Sequence, residues 1–320
     1  MSRLIWFYHL LKMMKKNNSL YNEIKLYLAY LQFERKLSSN TVNSYWLDLK
    51  YYISYLEDSY SIKSFNSIKS LHIKQYIKDL SSYKNSNQKE NATLNRTISS
   101  IKNFHKYLFL NNKVKTNSSE MIKSIKLKQS LPKILSVEEI DLIINSIDKN
   151  SKNAIRDISI ITLLYSSGLR VSELTELTLS NFYIKEEVLR VLGKGKKERI
   201  VPISSKAKEC MLEYIDHVRP RYSNKNETKG IVFLSNRGKA LSRKTVWNLI
   251  KIASINASIT KDVSPHTFRH SFASHLLEGG ADLRVVQELL GHSSVSTTQI
   301  YTHLDKTYLK EIHKEFHPRG

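Results

Sequence analysis

Residues 264–277 read SPHTFRHSFASHLL and hold three histidines and an arginine. Ser264 suits a helix N-cap, Pro265 suits the first helical position, and the tandem Gly279 and Gly280 end the pattern. His266, Arg269 and His270 then fall at i, i+3 and i+4, on one face near the positive end of a helix. Metal ligation fits badly. A zinc-protease helix carries Glu directly after its first His, because hydrolysis needs a base; here that residue is Thr267, and Arg269 repels a cation. Anion binding fits better, since a helix N-terminus, an arginine and a histidine all favour phosphate. The plain alternative is that these groups only bond neighbouring backbone.

Other segments carry chemistry of the same kind. In SSGLRVSELTEL, Arg170 opens a helix and Glu173, three residues on, can orient a guanidinium. In LGKGKK, Lys194 sits on a turn from which an ammonium can reach into a cleft. In LLGHSSVSTTQIYTH, His292 follows the glycine that ends a helix, and Tyr301 lies in a later helical turn. Singly, these read as a surface ion pair, solvated lysines and a packing tyrosine.

As a set they resemble the tyrosine site-specific recombinases of the phage-integrase family, and within them the bacterial Xer recombinases that resolve chromosome dimers. The resemblance rests on SGLRVSEL, GKGKKERIVPI, SPHTFRHSFASHLLEGGADLRVVQELLGHSSVSTTQIYTH and the closing HPRG, with LSSNTVNSYWLDL nearer the start. It covers nearly the whole chain from about residue 20 onward. It implies catalytic roles for Arg170, Lys194, His266, Arg269, His292 and Tyr301, with Glu173 as an orienting residue behind them. Tyr301 would attack the scissile phosphorus and form a 3′-phosphotyrosyl link. Arg170, Arg269 and His292 would hold the non-bridging oxygens, Lys194 would protonate the leaving 5′ oxygen, and His266 would assist the tyrosine. Such transesterification uses no metal and no ATP. Tyr308 is the competing nucleophile, but it lacks the GHSSVSTTQIY context. His270 and His275 read as packing or hydrogen-bonding residues.

The resemblance also implies a mainly α fold. It comprises an N-terminal helical, SAM-like core-DNA-binding bundle and a mixed α+β catalytic domain with a small antiparallel sheet. The expected boundaries are an extension over 1–19, the bundle over 20–112, a linker over 113–132, the catalytic domain over 133–303 and a tail helix over 304–320. Leu304, Leu309, Ile312 and Phe316 give the tail an apolar stripe, and in Xer-like proteins that helix docks on a neighbouring protomer; docking on its own chain is the alternative. The implied partners are double-stranded DNA with a dif-like inverted repeat, gripped between the two domains, and further recombinase protomers. These form a homotetramer or a heterotetramer with a second Xer recombinase. A cell-division DNA translocase is an implied activator.

Composition agrees with a polyanion partner. Of 320 residues, 51 are Lys or Arg and 29 are Asp or Glu, a net charge of +22. Nucleic acid is the first reading, an anionic membrane surface the second, and a lysine-rich compositional bias the third. The single cysteine, Cys210, sits in an amphipathic helical pattern and reads as a structural thiol. Its solitude excludes an intrachain disulfide and points to the cytoplasm. No apolar run is long enough for a membrane span.

The elements that must position these residues follow from periodicity. Ile24, Tyr27, Leu28 and Leu31 mark one helix, and Val42, Tyr45, Trp46, Leu49 and Ile53 a second, capped by Asn40. A third helix covers about 71–82, and Leu94, Ile98, Ile101, His105 and Leu108 mark a fourth. SVEEIDLIINSI has a Ser cap with acidic first-turn residues, and IRDISIITLLYSSG reads as a buried helix ending at Gly168. EVLRVLGKGKKERIVPI is a β-hairpin pattern, GIVFLS a further short strand, and the pattern from Ser242 onward is helical. Three other functions share parts of this pattern: a phage or mobile-element integrase, a type IB topoisomerase and a non-catalytic DNA-binding protein.

Overall fold

The computed structural model describes residues 19–83, 88–123, 133–193, 198–223, 230–291 and 303–320. The chain divides into two compact units, 1–130 and 131–320.

The first unit is helical. Helix α1 (Ser19–Ala29) widens into a π-turn over Tyr30–Glu34. Helices α2 (Ser39–Tyr60), α3 (Ser70–Tyr83) and α4 (Gln88–Leu110) follow. Helix α2 is capped by Ser38, whose hydroxyl accepts from the Thr41 amide. Asn40, the expected cap, lies inside the first turn, because Ser38 already holds the extended backbone a cap requires. The apolar stripes of the four helices meet in one core that includes Ile24, Leu28, Leu49, Ile53, Ile98 and Phe104. Among the buried polar groups of this unit, Asp48 accepts from Arg96, Thr97 and Ser100, and His105 Nε2 shares a 2.9 Å hydrogen bond with Tyr52.

The stretch 113–123, whose composition reads as linker, packs on this unit. Val114 and Ile122 join its core. Ser118 donates to the Ile68 carbonyl at 2.6 Å and Lys102 to the Ile122 carbonyl at 2.7 Å. Two well-spaced apolar residues suffice to hold a polar segment down, and no periodicity announces them.

The second unit opens with α5 (Val137–Asn145), capped by Ser136 in a capping box with Glu139. Helix α6 (Ala154–Ser167) is buried along most of its length and ends at Gly168 in the left-handed conformation. The short α7 (Val171–Glu176) begins directly after Arg170. Strands β1 (Phe182–Tyr183), β2 (Val188–Leu192) and β3 (Glu198–Pro202) form an antiparallel sheet in the order β1-β2-β3. Leu192 pairs with Glu198 at the end of the β2–β3 ladder. Helices α8 (Ser205–Glu213), α9 (Arg243–Asn256), α10 (Pro265–Gly279), α11 (Leu283–Leu290) and α12 (His303–Phe316) complete the unit. The stretch 231–235, read as a strand, makes only isolated bridges, Thr178 with Ile231 and Leu234 with Ala240. Val232, Phe233 and Leu234 are buried all the same, with the Phe233 ring stacked on Tyr214. Among the described residues no helix is long and apolar enough to cross a membrane.

Within this single chain, α12 packs on its own unit. Leu309 is buried, and Ile312 and Phe316 lie against a cluster of Phe272, Leu276, Val285, Val286 and Leu289. His313 Nε2 donates to the Ser166 carbonyl at 2.7 Å, and the Arg319 guanidinium lies 5.3 Å from the Tyr165 ring centroid and pairs with Asp141.

Candidate active site

Helix α10 places Arg269. Ser264 and Thr267 form a reciprocal capping box and Pro265 occupies the first turn. Phe268, Phe272 and Leu276 form the core face, and Arg269 is carried inward beside them. His266 and His270 lie on the exposed side of the same turns. His275 is buried and shares a 2.7 Å hydrogen bond with the Tyr165 hydroxyl.

Arg269 is held from two sides. Its Nη1 donates to the Gly168 carbonyl at 2.7 Å, and its Nη2 donates to the Leu290 carbonyl. Arg170 arrives at the same place from α7. Its Nη1 donates to Glu173 Oε1 at 2.8 Å and its Nη2 reaches the Gly291 carbonyl at 3.4 Å. Glu173 also accepts the Arg170 backbone N–H, through Oε2 at 2.8 Å, so one carboxylate fixes both ends of that residue.

A third guanidinium completes the cluster. Arg199, on β3, is buried and donates through Nη1 and Nη2 to both oxygens of Glu173, each at 2.8 Å, and through Nε to the Leu289 carbonyl at 2.8 Å. The three carbonyls that close α11 thus accept from three different arginines: Leu289 from Arg199, Leu290 from Arg269 and Gly291 from Arg170. These carbonyls form the negative end of the helix, where cations are favoured. Sequence reasoning passed over Arg199. It lies in an alternating strand, yet nothing local reveals that its inward-facing side chain meets a carboxylate 26 residues earlier.

The electrostatics are unbalanced toward positive charge. Three guanidiniums surround one carboxylate. Burial, and then the charges of Arg170 and Arg199, push the Arg269 guanidinium down to about 9, still protonated at neutral pH. Burial would raise the Glu173 carboxyl, but hydrogen bonds and charge from Arg199, then Arg170, hold it below its ordinary value. Partial burial, then His270, Arg269 and Arg170, lower the His266 imidazole. His266 is therefore neutral at neutral pH and free to accept a proton. Such a cluster carries excess positive charge, and planar guanidinium forks match phosphate oxygens.

The structure brings Arg170, Arg269, His266 and Glu173 together. Lys194, His292 and Tyr301 lie outside the described residues. Tyr308 is described and half-exposed on α12.

Comparison with known proteins shows the family. The phage integrase family profile matches residues 133–307, and the profile of the phage integrase N-terminal SAM-like domain matches residues 24–112. The chain belongs to the phage integrase family, the tyrosine recombinases. Its relatives place it in the Xer-type branch: it is 40% identical over 297 residues to tyrosine recombinase XerD of Staphylococcus saprophyticus, covering 93% of this chain and 99% of that protein. A XerD of Chlorobaculum tepidum is 51% identical over 166 residues, 52% of this chain and 54% of the relative. The fold is similar to that of the XerH recombinase bound to its difH substrate before cleavage, with a TM-score of 0.65 at 23% identity, covering 97% of this chain and 94% of that one. The same recombinase after cleavage of a palindromic difH substrate gives a TM-score of 0.64 at 25% identity, over 87% and 80% of the two chains.

Proposed function

We propose that this recombinase exchanges DNA strands at a dif-like inverted repeat and so resolves chromosome dimers, with Arg170 and Arg269 clamping the scissile phosphate. The observation that carries the reading is the meeting of these two guanidiniums on adjacent carbonyls, Gly291 and Leu290, beside a neutral imidazole. The XerD relatives, and a XerH structure whose partner is difH DNA, support the choice of substrate.

In the cleavage step the Tyr301 hydroxyl oxygen bonds to the scissile phosphorus, and the bond from phosphorus to the 5′ oxygen breaks. The tyrosine proton passes to His266, whose lowered basicity keeps it unprotonated beforehand. Lys194 supplies a proton to the departing 5′ oxygen. Arg170 and Arg269, with His292, neutralise charge that grows on the non-bridging oxygens in the transition state, where such donors act most strongly. The phosphoester bond is exchanged rather than hydrolysed. A 5′-hydroxyl from a partner strand therefore reverses the step without an energy cofactor, and the charge that a metal would supply comes from guanidiniums.

The working assembly is a tetramer on DNA, of one recombinase or two, in a cytoplasm that keeps Cys210 reduced. The tail helix that packs here on its own unit exchanges between protomers in that assembly, and a DNA translocase triggers the reaction. An inverted repeat from the replication terminus, built as a nicked suicide substrate, tests the reading. A covalent protein–DNA adduct at that site, and not on scrambled DNA, is expected; binding without an adduct refutes it.

A further inference from the structure

We infer that Arg199 is a positioning residue for strand cleavage, which sets the reach of Arg170 and Arg269 toward the phosphate. The inference rests on the reading that those two arginines hold the phosphate.

Glu173 Oε1 receives both Arg199 and Arg170, and Oε2 receives Arg199 and the Arg170 backbone, so its acceptor sites are shared out between the two residues. Arg199 takes the bidentate, in-line position. Arg170 keeps a single side-chain bond to the carboxylate and has the rest of its fork available. Remove Arg199, and a buried carboxylate faces Arg170 alone. Its attraction then draws that guanidinium into the bidentate site, away from a substrate.

The same side chain reaches α11. Its Nε bond to Leu289 holds the turn whose next two carbonyls seat Arg269 and Arg170. Gly291 closes that turn in the left-handed conformation, at φ +66°, and a Cβ there would stand 3.0 Å from Arg199 Cδ. The backbone of the turn and the Arg199 stem are thus packed against each other. Strand β3, helix α7 and the end of α11 are all tied through one guanidinium.

The test compares two suicide substrates, one with an ordinary scissile phosphate and one with a methylphosphonate, which lacks the charge of a non-bridging oxygen. Arg199→Lys keeps the charge but loses the fork. It is expected to bind DNA within about threefold of wild type and to cleave the ordinary substrate about 10–100-fold more slowly. On the methylphosphonate that defect shrinks to under about threefold, because less charge has to be met. Glu173→Gln, near-isosteric, shows the same signature and stands in if Arg199→Lys loses its thermal transition. Arg170→Ala is the control. If Arg170→Ala shows the signature but neither other variant does, or if their defects are equal on both substrates, Arg199 is structural only and the inference fails. If Arg170→Ala itself is equally impaired on both substrates, the phosphate-clamp reading fails and this inference with it.

Discussion

The Gly168 carbonyl accepts Arg269 Nη1 at 2.7 Å, while the α-carbon of the same glycine faces the ring of Phe272 so closely that a Cβ would stand 2.4 Å from its Cδ1. One residue therefore ends α6 in the left-handed conformation, seats an active-site guanidinium and lets the core ring pack. Helix termination, core packing and the site are a single constraint here.

Gly168→Ala is accordingly expected to cost more than an ordinary C-cap substitution. Left-handed backbone strain contributes about 1 kcal/mol and overpacking against Phe272 about 1–3 kcal/mol more. Urea unfolding measures the sum, and cleavage per folded molecule falls as well, because Arg269 loses the position of its acceptor. A variant with unchanged midpoint and unchanged cleavage would contradict the packing described.

In the proposed mechanism, Arg170→Ala and Arg269→Ala each remove one donor to the phosphate. Single-turnover cleavage is expected to fall about 10²–10³-fold for each, with DNA binding much less affected. Equal losses in binding and cleavage would make them simple DNA contacts.

In the proposed mechanism the acid limb of the cleavage rate is expected to follow His266. Its imidazole is lowered, so the neutral form that accepts a proton persists below the ordinary histidine value of about 6.5. Removing the His270 charge lifts one of the causes. His270→Ala is therefore expected to move the limb to higher pH, and a limb that stays in place would separate His266 from the proton transfer.

Acid should loosen the tail helix. Burial holds His313 at about 4, and burial with the nearby His313, His275 and Arg319 charges holds His317 at about 2. Between these values and about 6.5, the undocked tail binds more protons than the docked one, so docking strengthens as pH rises and weakens as pH falls. The slope is roughly 1.4 kcal/mol per pH unit for each histidine. Hydrogen exchange of α12 amides at pH 5 and pH 7.5 measures it, with faster opening expected at pH 5.

Much of this was legible in the sequence. The capping box at Ser264, the glycine stops and the Gly-Lys hairpin are local signals, and local signals fix α10 and the β2–β3 pair. Arg170, Arg269 and His266 were singled out by the resemblance of the whole set to the tyrosine recombinases; taken singly, their segments read equally well as a surface ion pair or as side chains bonding nearby backbone. Arg199 was not, since its function depends on Glu173 and on the end of α11, both distant in sequence. Nor was the packing of 113–123, where Val114 and Ile122 are too few to form a periodic pattern. The stretch 230–235 shows the converse: an apolar run that reads as a strand is buried with isolated bridges and no ladder.

The central claim is that Tyr301 forms the covalent bond to DNA. Wild-type protein, Tyr301→Phe and Tyr308→Phe are each incubated with the nicked suicide substrate, and covalent adduct is measured on a denaturing gel beside a native binding assay. Adduct with wild type and Tyr308→Phe, and none with Tyr301→Phe despite intact binding, is the result expected. Adduct with Tyr301→Phe and none with Tyr308→Phe would contradict the account.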